Sequence, residues 1–238
     1  MKECIFGAIF IFIGSCVGAL TLFANKKINK RVYNFFVGFA AGVMMAASIW
    51  SLLIPAIEGA QNILVVFIGF IIGSLILFCL DIAFDMMGNK TDYIDKMYFA
   101  LTLHNIPEGL IVGISYGYGA MVGEFISGHL MAFAIGIQNI PESIALAVPL
   151  YNKEENKLMT FVKILISAVV EPVFCMLGFL FFSFMIRVSS FLLSIAAGNM
   201  IYVLISELIP EINKEECKIG RLGFLFGFLI MMFFDILI

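Results

Sequence analysis

Two short polar motifs interrupt otherwise apolar stretches of this chain. The first, "LHNIPEGL", runs from Leu103 to Leu110, and the second, "IQNIPESI", runs from Ile137 to Ile144. In the first motif an imidazole (His104) stands four positions before a carboxylate (Glu108), and an amide (Asn105) stands three positions before it. Residues at these spacings lie on one face of a helix, so the three side chains should project together.

The second motif repeats this pattern with Gln138, Asn139 and Glu142. Both motifs contain a proline, Pro107 in the first and Pro141 in the second, directly before the glutamate. A proline inside a helix cannot donate to the carbonyl four residues earlier. Each proline is therefore expected to free a carbonyl and to open the helix beside the polar side chains.

A third carboxylate, Glu171, also stands in an apolar run and is followed by a proline, while Met44 and Met45 add thioethers at a similar depth of another run. A carboxylate at the centre of a bilayer costs about 2.5 kcal/mol or more, and such residues usually mark ion pathways. A shared divalent cation is the least costly way to keep three of them together. Imidazole, carboxylate, amide and thioether ligands together favour a transition metal.

The composition places these motifs in a membrane. Hydrophobic residues make up 62% of the 238 residues and charged residues only 13%, with a mean hydropathy of +1.08. Soluble domains carry roughly 25% charged residues, so the chain is predicted to be an integral membrane protein that contacts the lipid bilayer. Its five cysteines show no paired spacing, and no disulfide framework is expected.

Eight runs are long enough to cross a bilayer as helices, which needs about 20 apolar residues each. They are too long and too uniformly apolar for the strands of a membrane barrel. The fold class is therefore all-α, with eight transmembrane helices, here called spans 1 to 8. The predicted spans are Cys4–Ala24, Tyr33–Ile57, Gln61–Asp85, Met97–Gly117, Met121–Leu150, Leu158–Met185, Val188–Pro210 and Ile219–Ile238.

The basic residues orient these spans. With eight spans, only Lys2 and Arg187 fall on one side of the membrane, and the twelve other basic residues fall on the opposite side. Loops rich in lysine and arginine stay in the cytoplasm, so both termini are predicted to be extracellular. The twelve are Lys26, Lys27, Lys30, Arg31, Lys90, Lys96, Lys153, Lys157, Lys163, Lys214, Lys218 and Arg221.

The chain also contains internal repeats. Spans 4 and 5 share the polar motif but run in opposite directions, and spans 2 and 7 share a second pattern, "AAGVMMAASIWSLLIP" (Ala40–Pro55) and "AAGNMIYVLISELIP" (Ala196–Pro210). These repeats predict a 3+2+3 inverted-repeat arrangement, in which spans 1–3 correspond to spans 6–8. Inverted repeats around broken helices are typical of secondary transporters that bind substrate near the membrane midplane.

The two motifs and the eight spans resemble the ZIP (Zrt/Irt-like) metal transporters, and the Q-N-x-P-E form of the second motif is similar to the bacterial GufA-like branch. The resemblance covers essentially the whole chain and implies a single ZIP-type transmembrane domain over residues 1–238. It also implies that the protein imports zinc, or iron, manganese or cadmium, into the cytosol across the inner or plasma membrane. The metal is then a transported substrate, and no cofactor, enzymatic activity or nucleic-acid partner is expected; a homodimer stays open.

The resemblance further implies a binuclear site in which Glu108 and Glu142 bridge two ions. One subsite would consist of His104, Glu108, Gln138, Glu142 and Met44, and the other of Asn105, Glu108, Asn139, Glu142 and Glu171. Glu207 matches a carboxylate at the cytoplasmic exit, and Asp85 is a second candidate for the exit path. Spans 1, 4, 5 and 6 would slide as a body against spans 2, 3, 7 and 8, and Met44 would then leave the ion.

The chain also departs from the family pattern. Many ZIP proteins have histidine at the position of Gln138, and many carry a histidine-rich cytoplasmic loop, whereas this chain has two histidines in total. For the second histidine, His129, the sequence leaves two roles open: it lines the ion pathway or it is structural. An alternative function is a membrane-embedded metallohydrolase that uses the same ligands, although no HExxH motif is present.

The predicted topology can be tested by labelling single cysteines in a background in which the five native cysteines are replaced. A cysteine next to Lys2 or after Ile238 should react with a membrane-impermeant maleimide on intact cells, because both ends should face outward. A cysteine within Met86–Lys96 should react only after the cells are permeabilised. The reverse pattern would contradict the orientation taken from the basic residues.

Overall fold

The computed structural model describes residues 1–23, 29–86, 93–154, 156–213 and 218–237, and in these ranges every regular element is a helix. The α-helices are numbered along the chain. They are α1 (Lys2–Leu20), α2 (Lys30–Ala47), α3 (Ile54–Gly59), α4 (Ile63–Met86), α5 (Tyr93–Val122), α6 (Ile126–Glu154), α7 (Lys157–Ala168), α8 (Val170–Leu180), α9 (Phe182–Met185), α10 (Ser189–Val203), α11 (Ile209–Asn213) and α12 (Lys218–Leu237).

Seven stretches of helix in the described ranges are long and apolar enough to cross a membrane. The one predicted span that is missing from these seven is span 4, which lies in the 30-residue helix α5. Its polar residues, including His104 and Glu108, lower the mean hydropathy of that helix. The chain is thus a multi-pass, all-helical membrane protein. The inverted 3+2+3 order and the extracellular termini remain predictions, and Lys26, Lys27, Lys90 and Lys214 of the basic set lie outside the described residues.

The helices form two compact units. Unit 1 consists of Met1–Asn29, Asn105–Val188 and Leu237–Ile238, and unit 2 consists of Lys30–His104 and Ser189–Ile236. Spans 1, 5 and 6 fall in unit 1 and spans 2, 3, 7 and 8 in unit 2, which is the grouping that the resemblance implies. Span 4 is divided, because the boundary falls inside α5 between His104 and Asn105.

In unit 1, glycines bring helix backbones into direct contact. A Cβ atom on Gly14 of α1 would stand 2.1 Å from the carbonyl oxygen of Gly136 on α6, and one on Gly113 of α5 would stand 2.0 Å from that of Cys175 on α8. Lipid tails are as apolar as leucine, so helices in a bilayer associate through close packing of this kind. The glycines therefore fix the helices that carry the polar motifs.

In unit 2, the repeat of spans 2 and 7 is visible in the backbone. A π-helical turn follows α2 at Ser48–Leu53, and another follows α10 at Leu204–Leu208. Directly after each turn the N–H before the proline (Pro55 or Pro210) bonds to the carbonyl five residues earlier. Each proline removes the ordinary bond to the carbonyl four residues back, and the widened turn accommodates that loss.

The prolines of the polar motifs act differently from the expectation. Pro107 and Pro141 lie inside α5 and α6, and both helices continue through them. The break occurs instead in predicted span 6 (Leu158–Met185), where α7 ends at Ala168 and α8 begins at Val170. Pro172 cannot donate to the carbonyl of Ala168, which explains the position of this break beside Glu171.

Some predicted boundaries were wrong. Predicted span 5 starts at Met121, but Met121 and Val122 still belong to α5. The turn follows at Gly123, whose positive φ of 82° is readily adopted only by glycine, and α6 begins at Ile126. Predicted span 6 ends at Met185, but the membrane-spanning stretch ends at Leu180, and Phe182–Met185 belongs to the next stretch, Phe182–Asn213.

The packing of α1 against α6 predicts the effect of a single methyl group. Gly14→Ala should lower the free energy of unfolding by about 2 kcal/mol, because the new Cβ would overlap a backbone oxygen that cannot move without separating the helices. Thermal unfolding followed by circular dichroism in detergent measures the loss. The control is Ile13→Val on the exposed side of the same helix; equal midpoints for the two variants would contradict the packing described.

Candidate metal centre

Three of the sequence-predicted ligands converge around the polar motifs. One ligand atom from each of His104, Glu108 and Glu142 lies within 4.8 Å of the other two. His104 precedes Glu108 by one turn of the same continuous helix, α5, and Glu142 extends from α6. All three side chains are buried, with exposed fractions of 0%, 2% and 7%. A single ion could therefore contact an imidazole nitrogen and two carboxylate oxygens at once.

The two amides of the second motif orient the carboxylates. The Gln138 side-chain amide donates to Oε1 of Glu108, and the Asn139 amide donates to Oε2 of Glu171 at 2.6 Å. Asn139 also donates to the carbonyl oxygen of Ile11 at 3.1 Å, which ties the centre to α1. With their N–H groups engaged, both amides keep the carbonyl oxygen as the remaining polar atom.

These oxygens, Oε1 of Gln138 and Oδ1 of Asn139, are buried and accept no hydrogen bond from the described residues. Leaving a buried acceptor unsatisfied costs about 1–3 kcal/mol. Amide oxygens are also established ligands of hard and borderline cations. A cation in the centre would satisfy both atoms, so the amides can serve as ligands as well as hydrogen-bond donors.

Asn105 is the first residue of α5 that belongs to unit 1, and its side chain bonds to a residue outside the two motifs. Its amide donates to the carbonyl oxygen of Ser167 at 3.2 Å and lies 3.5 Å from the Ser167 hydroxyl oxygen. Ser167 stands next to Ala168, the last residue of α7, so the bond joins α5 to the region of the helix break. As in the second motif, the amide oxygen of Asn105 is the atom that could bind an ion.

Glu171 reaches the centre because α5 and α8 pack closely at that point. A Cβ on Gly109 would stand 2.3 Å from the backbone oxygen of Glu171. The equivalent residue of the second motif, Ser143, faces a similar constraint, because its own Cβ would lie 2.7 Å from a Cβ added to Gly18. The small residue after each motif glutamate therefore permits a close approach between helices.

Comparison with known proteins agrees with this chemistry. The sequence model of the family described as ZIP Zinc transporter matches residues 96–235, which include both motifs and Glu171. The chain belongs to the ZIP zinc transporter family. Members of that family are transporters, so the resemblance seen in the sequence is confirmed and the alternative of a metallohydrolase is not supported.

Individual relatives match along most of the chain. Zinc transporter ZIPB of Bordetella bronchiseptica is 29% identical over 251 residues, covering 94% of this chain and 77% of that protein. Zinc transporter GufA of Myxococcus xanthus is 29% identical over 241 residues, covering 92% of each. Zinc transporter ZIP11 of Homo sapiens is 24% identical over 332 residues, covering 98% of this chain and 96% of that protein.

The remaining predicted ligand of this ZIP chain, Met44, lies in α2 and is 1% exposed. It belongs to unit 2, whereas Asn105, Glu108, Gln138, Asn139, Glu142 and Glu171 belong to unit 1. Its thioether therefore remains a predicted ligand of the first subsite.

One of the two exit-path candidates, Glu207, lines a cavity in unit 2. Glu207 lines this cavity together with Asp81, Lys96 and Tyr202, whereas Asp85, the predicted candidate, is not part of its lining. The other lining residues are Leu77, Leu80, Phe84, Ala100 and Leu103. Asp81 is thus the acidic residue of α4 that shares a cavity with Glu207.

A lysine neutralises the acidic residues of α4. The ammonium of Lys96 pairs with Asp81 at 3.0 Å and also with Asp85, and the hydroxyl of Tyr202 donates to Asp81 at 3.2 Å. From the sequence, Lys96 was predicted only as one of the cytoplasmic basic residues. The lysine precedes His104 by eight positions and the aspartates lie on another helix, so no local spacing could have predicted the pairing.

His129 has partners that the sequence did not reveal. Its Nε2 lies 3.3 Å from Oε2 of Glu3, and its Nδ1 lies 3.0 Å from the hydroxyl of Tyr116. Tyr116 is fully buried and packs its ring edge-on against the imidazole. These contacts link α1, α5 and α6 within unit 1 and favour a structural role for His129.

The pairing of Lys96 with two carboxylates predicts a new divalent-ion site when the lysine is removed. In Lys96→Gln, Asp81 and Asp85 lose a shared cation, and Mn²⁺, which prefers carboxylate oxygens, should take its place. We expect one additional Mn²⁺ equivalent by equilibrium dialysis. Lys163→Gln is the control, because it removes a lysine that pairs with Glu154 in unit 1 and leaves the pairing of Lys96 with Asp81 and Asp85 intact. The same stoichiometry in both variants would contradict the prediction.

Proposed function

We propose that this chain is a secondary transporter that imports divalent transition-metal ions, zinc foremost, into the cytosol through a binuclear centre. The carrying observation is the buried convergence of His104, Glu108 and Glu142 on adjacent helices of a ZIP-family chain. Relatives named as zinc transporters support zinc as the substrate. The same donor set would accept Fe²⁺, Mn²⁺ or Cd²⁺.

Glu108 and Glu142 are the proposed bridging ligands. Each carboxylate has two oxygens, so one residue can bind two ions. His104, Gln138 and Met44 would complete the first subsite, and Asn105, Asn139 and Glu171 the second. The hydrogen bond of Asn139 to Glu171 supports the second subsite, because both residues are assigned to that ion. The hydrogen bond of Gln138 to Glu108 places Gln138 beside a bridging carboxylate.

Binding must also be reversible for transport to occur. Gln138 contributes an amide oxygen where many family members have imidazole, and an amide is the weaker ligand for zinc. The first subsite is therefore proposed to release zinc more readily and to discriminate less against manganese and iron. Ions leaving toward the cytosol would meet the cavity that contains Glu207 and Asp81.

Several further features belong to the same proposal. Residues 1–238 act as a single ZIP-type transport domain in the plasma membrane, and the helices of unit 1 move as a body during transport. Uptake uses no nucleotide bound by this chain, since the sequence contains no P-loop motif.

The bridging role predicts a graded set of transport defects in liposomes. Glu108→Ala and Glu142→Ala should each abolish zinc uptake, because each removes a ligand from both ions. Asn139→Ala removes a ligand from one ion and should reduce zinc affinity by roughly 10-fold or more while leaving measurable uptake. Glu124→Ala, an exposed acidic residue in the turn before α6, is the control and should transport normally. Wild-type rates for both glutamate variants would exclude the proposed centre.

A further inference from the structure

A second group of metal-binding atoms lies in unit 1, apart from the carboxylates. The Sγ atom of Cys4 on α1 stands 3.6 Å from Sγ of Cys175 and 3.9 Å from Sδ of Met176, both on α8. The cysteines are free thiols and are 0% exposed. The Cys4 sulfur on α1 thus lies within 4 Å of two sulfur atoms on α8, a helix distant in sequence.

The spacing of these atoms suits a common ion. Sulfur ligands bound to Zn²⁺ at about 2.3 Å stand roughly 3.8–4.0 Å apart in trigonal or tetrahedral geometry, and the larger Cd²⁺ needs a somewhat wider spacing. The separations of 3.6 and 3.9 Å from Cys4 lie just below or within the zinc range, so an ion requires only a small outward movement of the side chains.

The backbone around this group is held in place by close helix packing. A Cβ on Gly113 of α5 would stand 2.0 Å from the carbonyl oxygen of Cys175, and one on Gly178 of α8 would stand 2.5 Å from that of Leu110. The backbones of α5 and α8 are therefore in direct contact at both points. This contact positions the two ligands on α8, which lowers the cost of forming a metal site.

The charge balance selects the class of ion. Binding as thiolates releases one proton from Cys4 and one from Cys175 to the solution and leaves two negative charges beside a neutral thioether. The surrounding cluster is apolar and includes Ile11, Val112 and Ile135. A divalent ion neutralises the two thiolates, whereas a monovalent ion would leave one uncompensated charge in this apolar environment. Thiolate and thioether ligands favour soft ions.

We propose that Cys4, Cys175 and Met176 form a binding site for a thiophilic divalent d¹⁰ ion such as Cd²⁺, separate from the carboxylate centre. An ion bound there would cross-link α1 to α8, one helical turn from Glu171. The site uses neither the imidazole nor the carboxylates of the proposed transport centre, and it can exist whether or not that centre transports zinc.

Thiolate binding of Cd²⁺ gives an ultraviolet charge-transfer band that carboxylate-bound Cd²⁺ lacks, so the two sites can be observed separately in full-length protein. The protein is purified under reducing conditions in the background Cys16→Ser, Cys79→Ser and Cys217→Ser, which leaves only Cys4 and Cys175 as thiols. Titration with Cd²⁺ should give a saturable band whose final amplitude corresponds to one thiolate-bound Cd²⁺ in each chain, while the carboxylate centre binds Cd²⁺ without contributing to the band.

Removal of single sulfur atoms then tests the assignment. Cys4→Ala and Cys175→Ala in this background should each eliminate the saturable band, and Met176→Leu, which keeps the size and apolarity of the side chain, should shift the titration to higher Cd²⁺ concentration. Size-exclusion profiles in detergent check that each variant remains folded. A band that is absent from the background protein, or one that is unchanged in the cysteine variants, would overturn the proposal.

Discussion

The burial of three carboxylates in an apolar helical protein is the constraint on which the rest of this structure depends. Glu108, Glu142 and Glu171 are all less than one-tenth exposed. Insertion of such residues without compensation costs several kcal/mol, and they are tolerated where they pair with each other through a cation or line a polar path. The imidazole and amides around them supply the remaining ligands, so the side chains of the centre together form a binding site for a cation.

The backbone meets this constraint through small residues and prolines. Gly109 lets α5 approach α8 at Glu171, and Gly14 and Gly18 let α1 approach α6 beside the second motif. Pro172 sets the break between α7 and α8, so Glu171 stands in the first turn of a new helix. A larger side chain at the glycines would move a carboxylate by more than an ion–ligand bond can accommodate.

The sequence predicted much of this arrangement, because the signals concerned are local. Apolar runs located the helices, and spacings of three and four residues placed His104, Asn105 and Glu108 on one face. The repeat of spans 2 and 7 predicted corresponding backbones, and both contain a π-turn before a proline. The break in span 6 was not predicted, because the sequence pattern does not distinguish Pro172, near which one helix ends and another begins, from Pro107, through which α5 continues.

The remaining features depend on contacts between residues far apart in the chain. Cys4 and Cys175 are 171 positions apart, and the partners of Lys96 and His129 lie on other helices. No periodicity encodes such pairs, and the fold must be known before they can be recognised. The same holds for the exit path. Asp81 and Glu207 line one cavity and Asp85 does not, and this could be recognised only from the structure.

The most direct test of the binuclear centre is the location of zinc by anomalous diffraction from crystals grown with the ion. A binuclear centre bridged by two glutamates should give two anomalous peaks in each chain, both about 2.0–2.2 Å from carboxylate oxygens of Glu108 and Glu142. One peak should also contact His104 and the other Glu171. A single peak, or two peaks that share neither glutamate, would contradict a binuclear centre bridged by Glu108 and Glu142.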